Sequence, residues 1–400
     1  MIYLTPAQIR MAESVNMPSA RDSHFVGARV LMLHNGGPHL RGTEACLIRA
    51  AKALTTAGIG VMVLRNNTPM DRHLLELGCT FQHFCFSEVL LNGRYTRVPL
   101  IAYARSLLRA RSIANEFDPA AIYCSGGLPC QVGVPLGRQR GIPVVCHYHH
   151  PANANYYRSW LLRHADLMIC PSHYTAQKIG PFSAAETKVV YNGVDTDLFR
   201  KGIHSVIERS KLGIASDAVV FAQVGQLDPH KRPGHLLRAF AAAFKENRRM
   251  HLLLIGSGVQ SAELSKLAVE LDVENAVTIT GYVESVLPYF DSIIDVNCLV
   301  SREEGLGISI LEGSAFGLPG IATNGSGLQE TIVHGHTGYL VDENDFQTLV
   351  DTMLLLADDP ALRASLGGSG RRWIQDRFSS NRYESEMVEA VQYAISNRAA

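Results

Sequence analysis

Ser301–Ala322 reads SREEGLGISILEGSAFGLPGIA. Two acids, Glu304 and Glu312, stand eight positions apart, separated by Gly305, Leu306, Gly307 and the largely apolar stretch Ile308–Leu311. Glycines running into an apolar helix start leave backbone N–H groups free at the positive end of a helix dipole, a ready site for an anion. Glu312 falls inside that apolar start, where an ionised carboxylate is costly unless paired or hydrogen-bonded. The expectation is a nucleotide-type ligand, with its phosphate at the amides and the acid on its hydroxyls. Glu312 reads as the buried acid and Glu304 as the loop acid.

Outward from this segment, short apolar runs alternate with helical patterns, the signature of parallel sheets covered on both faces. Strands are expected at Ala28–His34, Val61–Leu64, Ala121–Cys124, Val144–His149, Leu167–Cys170 and Val189–Tyr191. After the turn-rich NGVDTDLF (Asn192–Phe199) a second series starts, with strands at Val219–Val224, His251–Ile255, Val277–Ile279, Ile293–Val296 and Gly320–Thr323. Helices are expected near Glu44–Thr56, Pro233–Phe244 and Ala262–Leu271, and Asn344 with Gln347 reads as a capping box. The chain divides into an extension (1–27), two doubly wound α/β domains (28–198 and 199–378) and a last helix (379–400) that packs back on the first domain. Ligands in such sheets bind at the carboxyl ends of the strands.

With 46% hydrophobic residues and a formal net charge of +0, the 400-residue chain has ample core and no global charge bias toward nucleic acid. No apolar run approaches the roughly 20 residues that span a bilayer. The start, MIYLTPAQIRMAESVNM, lacks the cationic and apolar regions of a secretory signal. Eight scattered cysteines without a C-x-x-C pair read as buried thiols in a reducing compartment. A cytoplasmic protein is expected. Arg94, Arg97, Arg105, Arg109 and Arg111, interleaved with Leu100, Ile101, Leu107 and Leu108, form either a solvated helix face or a peripheral contact with the inner face of a membrane.

Several motifs in this order resemble those of retaining glycosyltransferases of family four, which have the GT-B architecture of two facing Rossmann-like domains. Glu304–Glu312 matches the paired-glutamate motif, and Pro319–Thr323 and Gly325–Glu330 the strand and glycine loop after it. Tyr191–Asp195 with Phe199 matches the interdomain connection, and Asp295 and Ser301 the aspartate and serine that precede the acids. The resemblance covers residues 28–395. It implies transfer of a sugar from a UDP- or GDP-sugar to a glycan, a lipid-linked sugar or a small molecule, with no cofactor. Glu312 would hold the ribose, Glu304 the donor sugar, and Gly305, Leu306, Gly307 and Ile308 a phosphate. Lys231 would neutralise the departing diphosphate, and His149 would lie beside the sugar. Gln226 stands where the family often has arginine, so Arg232 is the candidate replacement. In the first domain Gly42 would let backbone approach the donor, while Arg41, in place of a glycine, and Glu44 fall on the acceptor side.

Two patterns suggest a metal. His147, His149 and His150 lie close together, but alternation separates His150 from the other two, and no cysteine or acid completes a tetrahedral set. Asp195-Thr196-Asp197 spells a D-x-D, but in an interdomain connection. Metal-independent transfer is expected. The competing readings are a nucleotide-sugar epimerase that needs no acceptor, a non-catalytic sugar-nucleotide binding module, and a dinucleotide oxidoreductase. The last is disfavoured because no G-x-G-x-x-G follows the first strand.

Overall fold

The structure is a computed structural model that describes residues 25, 27–40, 42–92, 95–97, 99–149, 154–183 and 185–399. Arg41, Arg94, His150 and nearly all of the 1–27 extension lie outside the described residues. The first domain carries β1 (Arg29–His34), β2 (Gly60–Arg65) and β3 (Thr80–His83), then a small antiparallel hairpin of β4 (Leu90–Asn92) and β5 (Tyr95–Arg97). β6 (Ala121–Ser125), β7 (Val144–His147), β8 (Leu167–Cys170) and β9 (Glu186–Val189) follow. Apart from the hairpin, these strands form one parallel sheet in the order β3-β2-β1-β6-β7-β8-β9.

The second domain repeats the plan with β10 (Val219–Val224), β11 (Met250–Ile255), β12 (Val277–Gly281), β13 (Val296–Leu299), β14 (Gly320–Asn324) and β15 (Gly338–Asp342). Their order is β12-β11-β10-β13-β14-β15, again parallel. Strand order reverses between β1 and β6 and between β10 and β13, which opens a crevice at the carboxyl end of each sheet. Central strands are apolar throughout because helices cover both faces: Val30, Leu31, Met32 and Leu33 of β1 are fully buried.

Several boundaries differ from the sequence reading. β13 starts at Val296, because Ile293 and Ile294 finish the turn after helix Leu287–Ser292 and pack into the core there. β9 ends at Val189, and β7 stops at His147. β3 was hidden by its polar face, which is mostly exposed at the sheet edge. The cap of helix Phe346–Asp358 is Asp345 rather than Asn344: its carboxylate accepts the Thr348 N–H at 3.0 Å, while Gln347 donates forward to Asp351.

Two sets of contacts tie the domains. Phe378–Ser380 crosses back to the connection, where Val194 N–H donates to Phe378 O at 2.7 Å and Ser380 N–H to Val194 O at 3.1 Å. Helix Ser380–Ala399 then buries Tyr383, Met387, Val391 and Ala394 in the first domain's core with Leu47, Ala50, Ala51 and Leu54. Nearer the cleft, the Glu330 carboxylate accepts the backbone N–H groups of His173 (2.9 Å) and Tyr174 (2.8 Å) and the Tyr191 hydroxyl (2.8 Å). Ser172 and Thr175 both donate to the Gly305 carbonyl, Thr175 at 3.2 Å. On the outer surface, helix Leu100–Phe117 exposes Leu100, Ile101 and Leu108 beside Arg105, Arg109 and Arg111. No helix among the described residues is long and apolar enough to cross a membrane.

Met387→Ala is expected to destabilise the first domain by about 2–5 kcal/mol, the range for emptying a buried site of this size; urea unfolding followed by fluorescence and circular dichroism checks it. Glu330→Ala removes three charge-assisted hydrogen bonds between the domains. It should increase the radius of gyration measured by small-angle X-ray scattering while leaving the secondary structure intact.

Candidate active site

The second domain's crevice is built from three turns. After β10, Gly225 takes φ +146° and lets Gly256 pass so close that a Cβ on Gly256 would lie 1.9 Å from the Gly225 carbonyl oxygen. Gln226 follows, half-buried. Pro229–Lys231 forms a single tight turn, and His230 O accepts the Arg302 N–H at 2.9 Å, which joins this turn to the Ser301–Gly305 segment. Lys231 Nζ thereby reaches the Glu304 carboxylate, with side-chain exposures of 16% and 5%. Arg232, next in sequence, turns the other way: its guanidinium donates to Glu343 O at 3.0 Å and lies 3.9 Å from the Glu343 carboxylate.

The Gly305–Gly307 loop is held from below. Gly327 N–H donates to Glu304 O at 2.9 Å, Leu306 is buried in the core, and the Gly305 carbonyl is taken by Ser172 and Thr175 of the other domain. Gly307 adopts φ +96° and starts helix Ile308–Ala315. Across the cleft Gly42 starts helix Gly42–Thr56, and a Cβ on Gly42 would lie 3.9 Å from Ile308 Cδ1. Two helix starts therefore approach one another from opposite domains. The hydroxyls of Ser301 and Ser326 are buried without a partner among the described residues.

Both acids are withdrawn from solvent, Glu304 the more so by exposed surface. Glu304 is only 4% exposed and is paired with Lys231; Glu312 is half-buried on helix Ile308–Ala315. The helix turns Glu312 out of the core, because Ile310 and Leu311 take the core positions. Burial pushes the Glu312 carboxyl up to about 7, against the opposing pull of the Arg49 charge. Arg49 was absent from the sequence reading. It lies seven residues after Gly42, two helical turns on, so it shares the face that meets Glu312. Its Nη1 is buried with no hydrogen-bond partner among the described residues. Ser172, Thr175 and Glu330 were also not identified as bridging residues, since a contact between domains leaves no periodic pattern.

On the first domain's edge, His34, Ser125 and His147 end three neighbouring strands. His149 follows two residues later, 7% exposed, its ring 4.2 Å from that of His147. His147 is fully buried, accepts or donates at 2.5 Å to the Tyr123 hydroxyl, and is driven by burial down to about 3, so it stays neutral. Glu44 is corrected: at 1% exposure it does not face an acceptor. Its carboxylate accepts the Gly37 N–H at 3.1 Å and the Thr43 hydroxyl at 3.0 Å, and so shapes the glycine loop. Asp195 caps its own turn, accepting N–H groups of Asp197 and Leu198, each at 3.1 Å. Among the described residues, no group of three or more His, Cys, Asp or Glu side chains is arranged to hold a metal ion.

Comparison with known proteins gives two family matches: "Glycosyltransferase Family 4" over residues 40–198 and "Glycosyl transferases group 1" over residues 206–373. The chain is 32% identical over 391 residues to a D-inositol 3-phosphate glycosyltransferase of Saccharomonospora viridis, covering 88% of this chain and 89% of that one. It is 29% identical over 287 residues to a GDP-mannose-dependent alpha-(1-6)-phosphatidylinositol monomannoside mannosyltransferase of Mycobacterium tuberculosis, covering 67% and 74%. Its fold matches Anabaena HepE in complex with UDP and glucose (TM-score 0.78, 20% identity, 92% of this chain and 100% of that one). It also matches sucrose-phosphate synthase of Thermosynechococcus elongatus (TM-score 0.75, 22% identity, 92% and 100%). Two parallel-sheet domains in the GT-B arrangement, and a relative this similar over most of its length, place the chain in glycosyltransferase family 4.

Proposed function

We propose that this glycosyltransferase moves a sugar from a UDP- or GDP-sugar to a hydroxyl of a glycan, lipid-linked or small-molecule acceptor, with retained anomeric configuration and without a metal ion. The observation that carries the reading is the close approach of two helix starts, Gly42 and Ile308, in a chain that also holds the Lys231–Glu304 pair and the half-buried Glu312 next to the second of them. A diphosphate at these helix starts receives the amides of Gly307 and Ile308 and the dipoles of both helices. The GDP-mannose dependence in the name of the mycobacterial relative supports a nucleotide-sugar donor.

Each charged residue then has one task. Ionised Glu312 accepts the ribose hydroxyl protons, with Arg49 favouring its charge. Without ligand, Lys231 and Glu304 neutralise one another. The donor divides the pair: the diphosphate draws the Lys231 ammonium, and the sugar hydroxyls take the Glu304 carboxylate. As the glycosidic bond lengthens, negative charge collects on the diphosphate, and Lys231 and the amides stabilise it where it grows. Gln226 adds a hydrogen bond and no charge. His149 approaches the sugar from the first domain. The acceptor hydroxyl loses its proton to the departing phosphate on the same face, which accounts for retention without a carboxylate nucleophile. For a lipid-linked acceptor, the exposed leucines and arginines of helix Leu100–Phe117 would face the lipid surface.

Lys231→Ala and Glu304→Ala should each lower kcat by about 10²–10³, the range for losing one such contact. Turnover unaffected by either change refutes the assignment. Donor hydrolysis and transfer are assayed against a panel of UDP- and GDP-sugars with EDTA present, and the product anomer is read by NMR. Glu312 also sets a pH dependence. Its raised pKa leaves it largely protonated below about 7 in the free enzyme, so ionising it for ribose costs affinity there. Nucleotide-sugar affinity should rise about tenfold per pH unit toward 7 and level off above it. Calorimetric titration from pH 5.5 to 8.5 should show this slope in the wild type and none in Glu312→Gln.

A further inference from the structure

β10, VVFAQV, is apolar along its length but for one side chain, Gln223. The strand is central, paired with β11 on one side and β13 on the other, and Gln223 is fully buried. Gln223 shares a face with Phe221, which packs with Leu236 and Phe240 of helix Pro233–Glu246. Its amide therefore lies beneath the turn that leads into that helix, and Nε2 donates to the Lys231 carbonyl oxygen at 3.2 Å. A carbonyl only accepts, so the amide nitrogen is the end that faces it. Oε1 is left buried with no hydrogen-bond partner among the described residues. A half-satisfied amide in the middle of a parallel sheet carries a cost that an apolar side chain would avoid.

The backbone beside it is strained. Arg232 joins Lys231 to Pro233 with φ +52° and ψ +41°, in the left-handed region that side chains other than glycine disfavour. Such a conformation persists where its surroundings over-determine it, and is found most often at functional sites. Here the Arg232 guanidinium is held on Glu343 O at 3.0 Å, and the preceding carbonyl is held by Gln223. The Lys231 N–H is held as well, on Asp228 O at 3.0 Å. Both polar groups of the Lys231 backbone are thus fixed, and its side chain leaves in the direction that meets Glu304. We propose that Gln223 is a positioning residue that holds the Lys231 carbonyl against the strained Arg232 turn and so aims the Lys231 ammonium. A lysine stem is long and flexible, so a small rotation at its root is magnified at Nζ.

The catalytic consequence rests on the proposed task of Lys231 at the diphosphate, so the test separates the two. Gln223→Met keeps the side-chain length and removes the donor; Gln223→Asn keeps an amide too short to reach the carbonyl. Each is made in the full-length wild type and again with Lys231→Ala, which retains the backbone carbonyl, and all are assayed against a panel of UDP- and GDP-sugars. In the wild-type background kcat should fall by about tenfold, with KM for the donor within about twofold. In the Lys231→Ala background neither change should lower kcat further, because the group it positions is gone. A Gln223 that only supports the fold lowers kcat equally in both backgrounds; that result overturns the proposal, as does an unchanged kcat in the wild-type background where Lys231→Ala lowers it. A crystal structure of Gln223→Met gives a readout independent of turnover: Arg232 should leave the left-handed region, or the Lys231 ammonium should leave Glu304. That displacement, with turnover unaffected by Lys231→Ala, upholds the positioning and removes Lys231 from the diphosphate. An undisplaced turn and ammonium overturn the proposal whatever the kinetics.

Discussion

Two helices, Gly42–Thr56 and Ile308–Ala315, start close to one another from opposite domains. Each start carries about half a positive charge and unsatisfied N–H groups, so the two ends repel and prefer to be apart. The closed arrangement therefore needs contacts that offset this repulsion. Glu330 supplies a negative charge between the domains, accepting two backbone N–H groups and a tyrosine hydroxyl. Ser172 and Thr175 fix the Gly305 carbonyl, the residue on which the second helix start is hung. Helix Ser380–Ala399 carries the second domain's chain into the core of the first. A dianionic diphosphate at both starts reverses the sign of the problem, since both helix ends then attract the same group. On the proposed function, the donor and the contacts between the domains would thus stabilise each other through one electrostatic feature.

The same logic explains why the two acids of Ser301–Ala322 behave differently. Glu304 is the more enclosed and would be prohibitively costly alone; Lys231 accompanies it, and taking one partner away strands the other. Glu312 has no ion-pair partner within contact distance among the described residues, and meets its cost by protonation at about 7 and by the neighbouring charge of Arg49. On the proposed function, a ribose donating two hydroxyls to Glu312 would supply what the protein leaves out, so that one acid is satisfied without the ligand and the other by it.

The fold was legible because parallel strands covered on both faces must be apolar from end to end. Val219–Val224 and Leu167–Cys170 were read without error, and β1 to within one residue. Elements that escape that rule were missed or misplaced: β3 at a sheet edge, the hairpin β4–β5, and β13, where Ile293 and Ile294 are core residues outside the strand. At the site, glycines and acids at fixed spacing marked the second domain. The relative exposed surface of Glu304 and Glu312 was not legible, because sequence gives the apolar neighbours of a helical residue but not the direction of its side chain. Arg49, Glu330 and the Ser172–Thr175 pair owe their roles to the other domain, which no local pattern reports.

The first domain's contribution differs in kind from the second's. On the proposed function, the second domain offers responsive charge: a lysine, two acids and helix-start amides that would change partners as a donor binds. The first offers a fixed polar frame, in which strand ends at the switch point set His34 and Ser125 side by side and bury Glu44 behind them. Parallel register makes such a frame rigid, since moving any member means sliding a central strand. A rigid frame opposite a responsive one suits a reaction in which the leaving group changes charge while the sugar must stay in place. Of the three acids Glu44, Glu304 and Glu312, the first two are nearly sealed from solvent and only Glu312 is half-exposed. Glu44, locked by Gly37, Thr43 and His34, has no lone pair facing the cleft to give.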